Sequence, residues 1–306
     1  MKKTIFVAVF ALLAAACSND CNDDEVEKPV EGSDVTAKVT VHVNDFSIVM
    51  ESLDAEVMTR SAENPATYKS VGAIDLVLFD ADGKNVYSKT QFKKQTSTYT
   101  TFGEFTCDLP VGHYTMVVIG RAYYDGDLFT LASPTVASYN SERPRETFSK
   151  VQTVTVTNLS PLNLSVSLNR INALLTIQST DARPAGISKI RTTFAKGGMA
   201  FNPSTGQANV DTGFSQTNTP NAAVGTTITV NSCPLLASAD DEEEKMDLTI
   251  EVLDTNDKVL FTKVVSDVPF KRNNQTTLSG PLFTASPSSL SFTLNTDWGP
   301  GYTVTF

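Results

Sequence analysis

The chain has 306 residues, with 24 Lys+Arg against 34 Asp+Glu and a formal net charge of −10. That length suggests two domains at about 100–200 residues each. A hydrophobic share of 41% with 19% charged residues excludes a wholly disordered chain. The acidic balance, without any cluster of Lys and Arg, excludes a nucleic-acid partner. Two histidines and four cysteines are too few for a metal framework or a disulfide-stapled miniprotein.

The first element is an address. Met1-Lys2-Lys3 is a short basic start, followed by the apolar run Ile5–Leu13. The run is too short for the roughly 30 Å hydrocarbon core and ends in small residues, as a secretory signal does. Leu13-Ala14-Ala15-Ala16-Cys17 resembles a bacterial lipobox, in which cleavage before the cysteine is followed by its acylation. Residues 1–16 then form the signal peptide, and Cys17 carries the lipid that anchors the chain in the outer membrane. Two or three acyl chains anchor stably where one would be marginal. The plainer alternative is an ordinary secretory signal with an incidental cysteine. Residues 17–34 hold seven carboxylates and the single Lys28, a tether that cannot bury apolar surface. An acidic run at this place resembles the surface-export signal of lipoproteins in gut and oral Gram-negative anaerobes; a solvated periplasmic spacer is the alternative.

From Val35 the hydrophobic period is two, which predicts strands. Val39, Val41 and Val43 alternate with polar residues in the first. Ile74–Phe79 reads as a buried strand, and Asp80-Ala81-Asp82-Gly83 as the turn after it. Further strands are predicted at Tyr99–Cys107, His113–Arg121, Thr147–Thr157 and Leu162–Leu168. A second set covers Arg170–Ile177, Ile187–Ala195, Thr226–Val230, Met246–Leu253, Val259–Val265 and Val268–Leu278. The stretch Lys196–Gly225 and the acidic Asp240–Glu244 read as exposed loops. Strands so spaced predict an all-β chain of sandwiches, residues 35–168 and 169–306, with no near-identical internal repeat visible. Cys107 and Cys233, far apart in strand-like sequence, are expected to be buried free thiols.

Chemistry is hard to find in this sequence. It holds no His-Glu-x-x-His, no Gly-x-Ser-x-Gly and no phosphate-binding glycine pattern. Asp80-x-Asp82-Gly83 resembles the start of a calcium loop, but its glycine comes two positions early, so a hairpin turn is expected. The Asp240–Glu244 run lacks fixed geometry for a cation. Trp298, the sole tryptophan, is expected to anchor a terminal turn rather than stack on a sugar. Neither an enzyme nor a cofactor is expected.

Four features together resemble the fimbrillin superfamily, the subunits of type V pili. They are the lipobox with its acidic tether; the Leu109-Pro110-Val111-Gly112-His113-Tyr114 turn and strand; Arg170-Ile171-Asn172-Ala173; and Lys271-Arg272-Asn273 followed by Thr276 and Gly280. The resemblance implies two tandem transthyretin-like β-sandwich domains. It also implies a surface lipoprotein precursor whose N-terminal strand is removed by an Arg-specific protease. A strand from another pilus subunit then fills the vacated groove by β-augmentation. On that pattern Val39, Val41 and Val43 are the candidate displaced strand, and Arg60–Ser61, in a polar connection, the candidate cleavage site. The alternative for Arg60 is a surface residue with no processing role. Leu290, Phe292 and Leu294, or Tyr302, Val304 and Phe306, are the candidate donor strand; an ordinary closing hairpin is the alternative. The partners implied are other pilus subunits, the outer membrane, the protease, and a receptor on host or bacterial surfaces. A non-polymerising anchor, tip adhesin or glycan-binding module is the competing reading.

Overall fold

A computed structural model describes residues 35–51, 58–140, 143–284, 291–295 and 298. In the first half the strands are β1 (Ala37–Glu51), β2 (Met58–Glu63), β3 (Ala73–Phe79), β4 (Asn85–Phe92), β5 (Glu104–Leu109) and β6 (Gly112–Arg121). They continue as β7 (Phe129–Ser133), β8 (Val136–Tyr139), β9 (Thr147–Val156) and β10 (Leu162–Arg170). The second half holds β11 (Leu174–Ser179), β12 (Lys189–Phe194), β13 (Ala200–Phe201), β14 (Phe214–Asn218) and β15 (Thr229–Ser232). It ends with β16 (Glu244–Leu253), β17 (Val259–Phe270), β18 (Gln275–Gly280) and β19 (Ser291–Asn295). One 3-10 turn, Thr96–Thr98, is the only helical element among the described residues. The expected all-β class holds.

In the first half, eight strands form one sheet in the order β2-β1-β10-β9-β6-β3-β4, with β5 also on β1. The sheet bends between β9 and β10, which pair only at Ser149–Asn169 and Phe148–Arg170. This corner gives a limb of β1, β5 and β10 facing a limb of β3, β6 and β9. Their inner side chains share one core, including Val39, Val41, Phe46, Phe105, Leu76, Met116, Val118 and Phe148. The outer face of β3 and β6 is buried too, since Val77, Phe79, Val117 and Ile119 pack with Tyr139 of β8 and Phe201 of β13. Burial on both faces explains why Ile74–Phe79 reads as an apolar run rather than an alternation. Asp75 within that run is neutralised by Arg121, Nε to Oδ2 at 2.7 Å.

The second half is built from two four-stranded sheets, β15-β11-β18-β19 and β14-β12-β16-β17, around a core that includes Leu175, Ile190, Leu248, Ile250 and Phe270. Its connectivity repeats that of the first. The parallel pair β1–β10 corresponds to β11–β18, and the antiparallel pair β1–β5 to β11–β15. The chain β4–β3–β6–β9 corresponds to β14–β12–β16–β17. The sequence hides this repeat because pairing needs only strand length and alternation, not shared residues.

Several predicted elements move. Glu104–Leu109 replaces Tyr99–Cys107, because Gly103 turns at φ 93° and Gln91 holds its N–H. The predicted strand Val268–Leu278 is broken by a turn at 271–274, where Asn273 has φ 62°. The supposed loop Lys196–Gly225 contains β13 and β14. The acidic run is exposed as expected from Asp240 to Glu243, with Asp240 paired to Arg272, while Glu244, which opens β16, is buried and accepts from the N–H groups of Ala237 and Ser238. Asp80 behaves as a turn residue, its Oδ1 accepting from the N–H groups of Asp82 and Lys84.

Candidate functional site

The candidate displaced strand lies in β1, the longest of the described strands. Its first half sits between two partners: β10 runs parallel on one edge, pairing Val39 with Leu162 and Val41 with Leu164. On the other edge β5 runs antiparallel, pairing Val39 with Cys107 and Val41 with Phe105. Past a bulge near Asn44, β2 takes over the second edge from Phe46 to Glu51. Ala37, Val39, Val41, Val43, Phe46 and Ile48 all face the core and are buried. Burying the five larger ones contributes a gross roughly 8–15 kcal/mol, before ordering costs. The strand fills an apolar groove that has hydrogen-bonding main chain on both walls.

At the far end of this groove Phe46 packs against Phe148 at 4.8 Å and edge-on to Tyr68 at 5.6 Å between ring centres. Behind those two rings lies a polar hub that excludes solvent. Arg170 Nη2 is 2.9 Å from Glu146 Oε1, both side chains being 0% exposed, and donates to the Tyr68 hydroxyl at 2.8 Å. Tyr68 in turn donates to Glu146 Oε1 at 2.8 Å, and Ser70 donates to Oε2. Burial, and then the Glu146 charge, push the Tyr68 phenol well above its usual value, so it stays a neutral donor. Arg170 Nη1 donates to Asn273 Oδ1 at 2.9 Å and to the Trp298 carbonyl at 2.8 Å, and its guanidinium lies 4.0 Å from the Trp298 ring centre. Trp298 is fully buried beside Leu174 and Cys233. Its burial agrees with the expected anchor, while the turn it was expected to hold lies outside the described residues; its partner, 128 residues away in sequence, carried no signal.

Arg60 and Ser61 depart from expectation. They lie within β2, opposite Val49 and Ile48, rather than in an open connection. The mostly polar segment Met58–Glu63 pairs with β1 at the edge of the sheet, a place where polar residues are common. Phe292 and Leu294 lie in β19, opposite Leu278 and Thr276 of β18. Cys17, Leu290, Tyr302, Val304 and Phe306 fall outside the described residues. Cys107 and Cys233 are free and buried.

No curated protein matches the chain. Among solved structures, the fold is similar to the fimbrial anchor protein Mfa2 from Porphyromonas gingivalis, with TM-score 0.43 and 12% identity, covering 80% of this chain and 90% of that one. It is also similar to the tip fimbrial protein Mfa3 from the same organism, with TM-score 0.39 and 9% identity over 85% and 99% of the two chains. An adhesin candidate from Bacteroides ovatus gives TM-score 0.47 and 12% identity over 74% and 77%. Residues 35–299 match the model of a family of unknown function, DUF6562, so the chain belongs to that family.

Proposed function

We propose that the chain is a non-enzymatic subunit of a cell-surface fimbria, exported as a lipoprotein on Cys17 and joined to other subunits by strand exchange at the β1 groove. The observation that carries this reading is the double-edged pairing of β1, with its row of buried aliphatic and aromatic side chains. An N-terminal strand of that kind is separable in principle: main-chain bonds give generic affinity, and the pockets of alternate side chains set the register. An incoming strand with the same alternation could take its place, and adhesion to host or bacterial surfaces would follow from the assembled fibre.

A second reading is favoured by one observation. Arg60 is paired within β2 rather than in an open connection, and main chain already bonded to a neighbouring strand is less free to enter a protease active site. A chain that keeps its first strand and its lipid would serve as an anchor or adhesin. N-terminal sequencing of the surface-assembled protein separates the two. A start at Ser61 supports the exchanging subunit, and a blocked Cys17 supports the anchor. A start at neither, with no lipid, removes both.

A further inference from the structure

We propose that Arg170 couples the seating of Trp298 to the presence of β1 in its groove, so that the N-terminal strand controls whether the chain is held at its other end. The coupling goes beyond the fimbrial reading and does not depend on it. Phe46 is the ring of β1 that closes the aromatic wall made by Tyr68 and Phe148, whose centres lie 5.6 Å apart at 85°. Arg170 stands on the same two side chains, bonded to the Tyr68 hydroxyl and 5.2 Å from the Phe148 ring centre.

Among the described residues, the polar contacts of Trp298 are with Arg170. Its carbonyl accepts from Nη1 and its ring stacks on the guanidinium, whereas its own Nε1 has no partner among the described residues. With β1 seated, the Arg170–Glu146 pair is dry, and the guanidinium is fixed by Glu146, Tyr68 and Asn273. Taking Phe46 away opens the wall to water. The pair then loses most of its attraction as the local dielectric rises, and water competes for the Nη1 bond to Trp298. The buried charge pair thus acts as a latch, stable only while the hydrophobic wall keeps it dry.

Trp298 is the only tryptophan, so its fluorescence reads the latch directly. The full chain is compared with Phe46→Ala and with Val39→Ala, a control at the opposite end of the same strand. Circular dichroism checks that each is folded, and Phe46→Leu replaces Phe46→Ala if that variant does not fold. The expected result is a red-shifted emission and a several-fold rise in acrylamide quenching for the Phe46 variant, with the Val39 variant unchanged. A cycle with Glu146→Gln tests the route: once the ion pair is gone, the Phe46 change should add little further quenching. The proposal is overturned if both β1 variants quench alike, if neither does, or if the Phe46 increment is undiminished in the Glu146→Gln background.

Discussion

Phe46 of β1 lies so close to Gly120 of β6 that a Cβ on the glycine would come within 2.7 Å of Phe46 Cε1. The glycine is thus the seat of the ring, and its missing side chain is a packing requirement. Gly120→Ala should push the ring into Tyr68 and Phe148, which hold its other faces, and destabilise the protein by about 1–3 kcal/mol. Urea unfolding measures this. An unchanged midpoint would mean that the ring has room to retreat.

Val41 lies 0% exposed between Leu164 and Phe105. Val41→Asp places a carboxylate there with no described partner, so the intact chain should lose several kcal/mol and expose its groove. Val41→Ala removes only two methyl groups and should cost about 2 kcal/mol while leaving β1 seated. Thermal unfolding of the two, side by side, checks the order. Equal losses would argue against an apolar groove at this position.

What the sequence disclosed follows from periodicity. Val39, Val41 and Val43 announce a half-buried strand because each apolar residue is flanked by polar ones, and Ile74–Phe79 announces a doubly buried one. Neither pattern names the neighbour. That β1 runs parallel to β10, more than a hundred residues later, is a matter of register between distant strands, which leaves no local mark. The short β14, Phe214–Asn218, was hidden by its polarity. Its Gln216 and Asn218 are buried and bonded to Ser232 and Asn231 of β15, so the usual link between polar sequence and exposed loop fails there. The Arg170 hub left no local mark either, being assembled from five separate segments: Tyr68 with Ser70, Glu146, Arg170, Asn273 and Trp298.

Alkaline lability should draw on both buried thiols, Cys107 of β5 and Cys233, the latter pushed well above its usual value by burial. Burial, and then the neighbouring Asp108, push the Cys107 thiol from about 9 up to about 11. The folded state therefore holds this proton more tightly than the unfolded chain does. The resulting stabilisation is complete below about pH 9 and is lost as pH rises toward 11. Cys107→Ala should flatten the fall in melting temperature across that window, leaving a smaller slope from the other buried groups. Identical slopes would show that the thiol ionises equally readily in the folded and the unfolded chain.

The lipid anchor is tested apart from the fold. If Cys17 is the acylated residue, Cys17→Ala should abolish acyl labelling and membrane retention while the purified domains keep the melting temperature of the parent. Continued partition of the variant into membranes would show that another segment holds the chain there.

Strand exchange makes the most demanding prediction. Cleavage after Arg60 would cut β2 in half, yet β1 would still be bonded to β10 from Val39 to Ser47 and to β5 from Ala37 to His42. Two paired edges and a buried apolar face mean that the severed strand does not simply diffuse away. The cleaved protein should therefore elute as one species carrying its N-terminal fragment, released only by denaturant or by a competing strand. Deleting Gly301–Phe306 should leave the precursor folded. If Tyr302, Val304 and Phe306 supply the competing strand, protease-treated protein with that tail should form ladders on unboiled gels, and the tail-less protein should not. Should the tail-less protein polymerise equally well, the donor must lie elsewhere. In that case Phe292 and Leu294, already paired to β18, would have to unzip first, and polymerisation should slow as substitutions strengthen the β18–β19 pair.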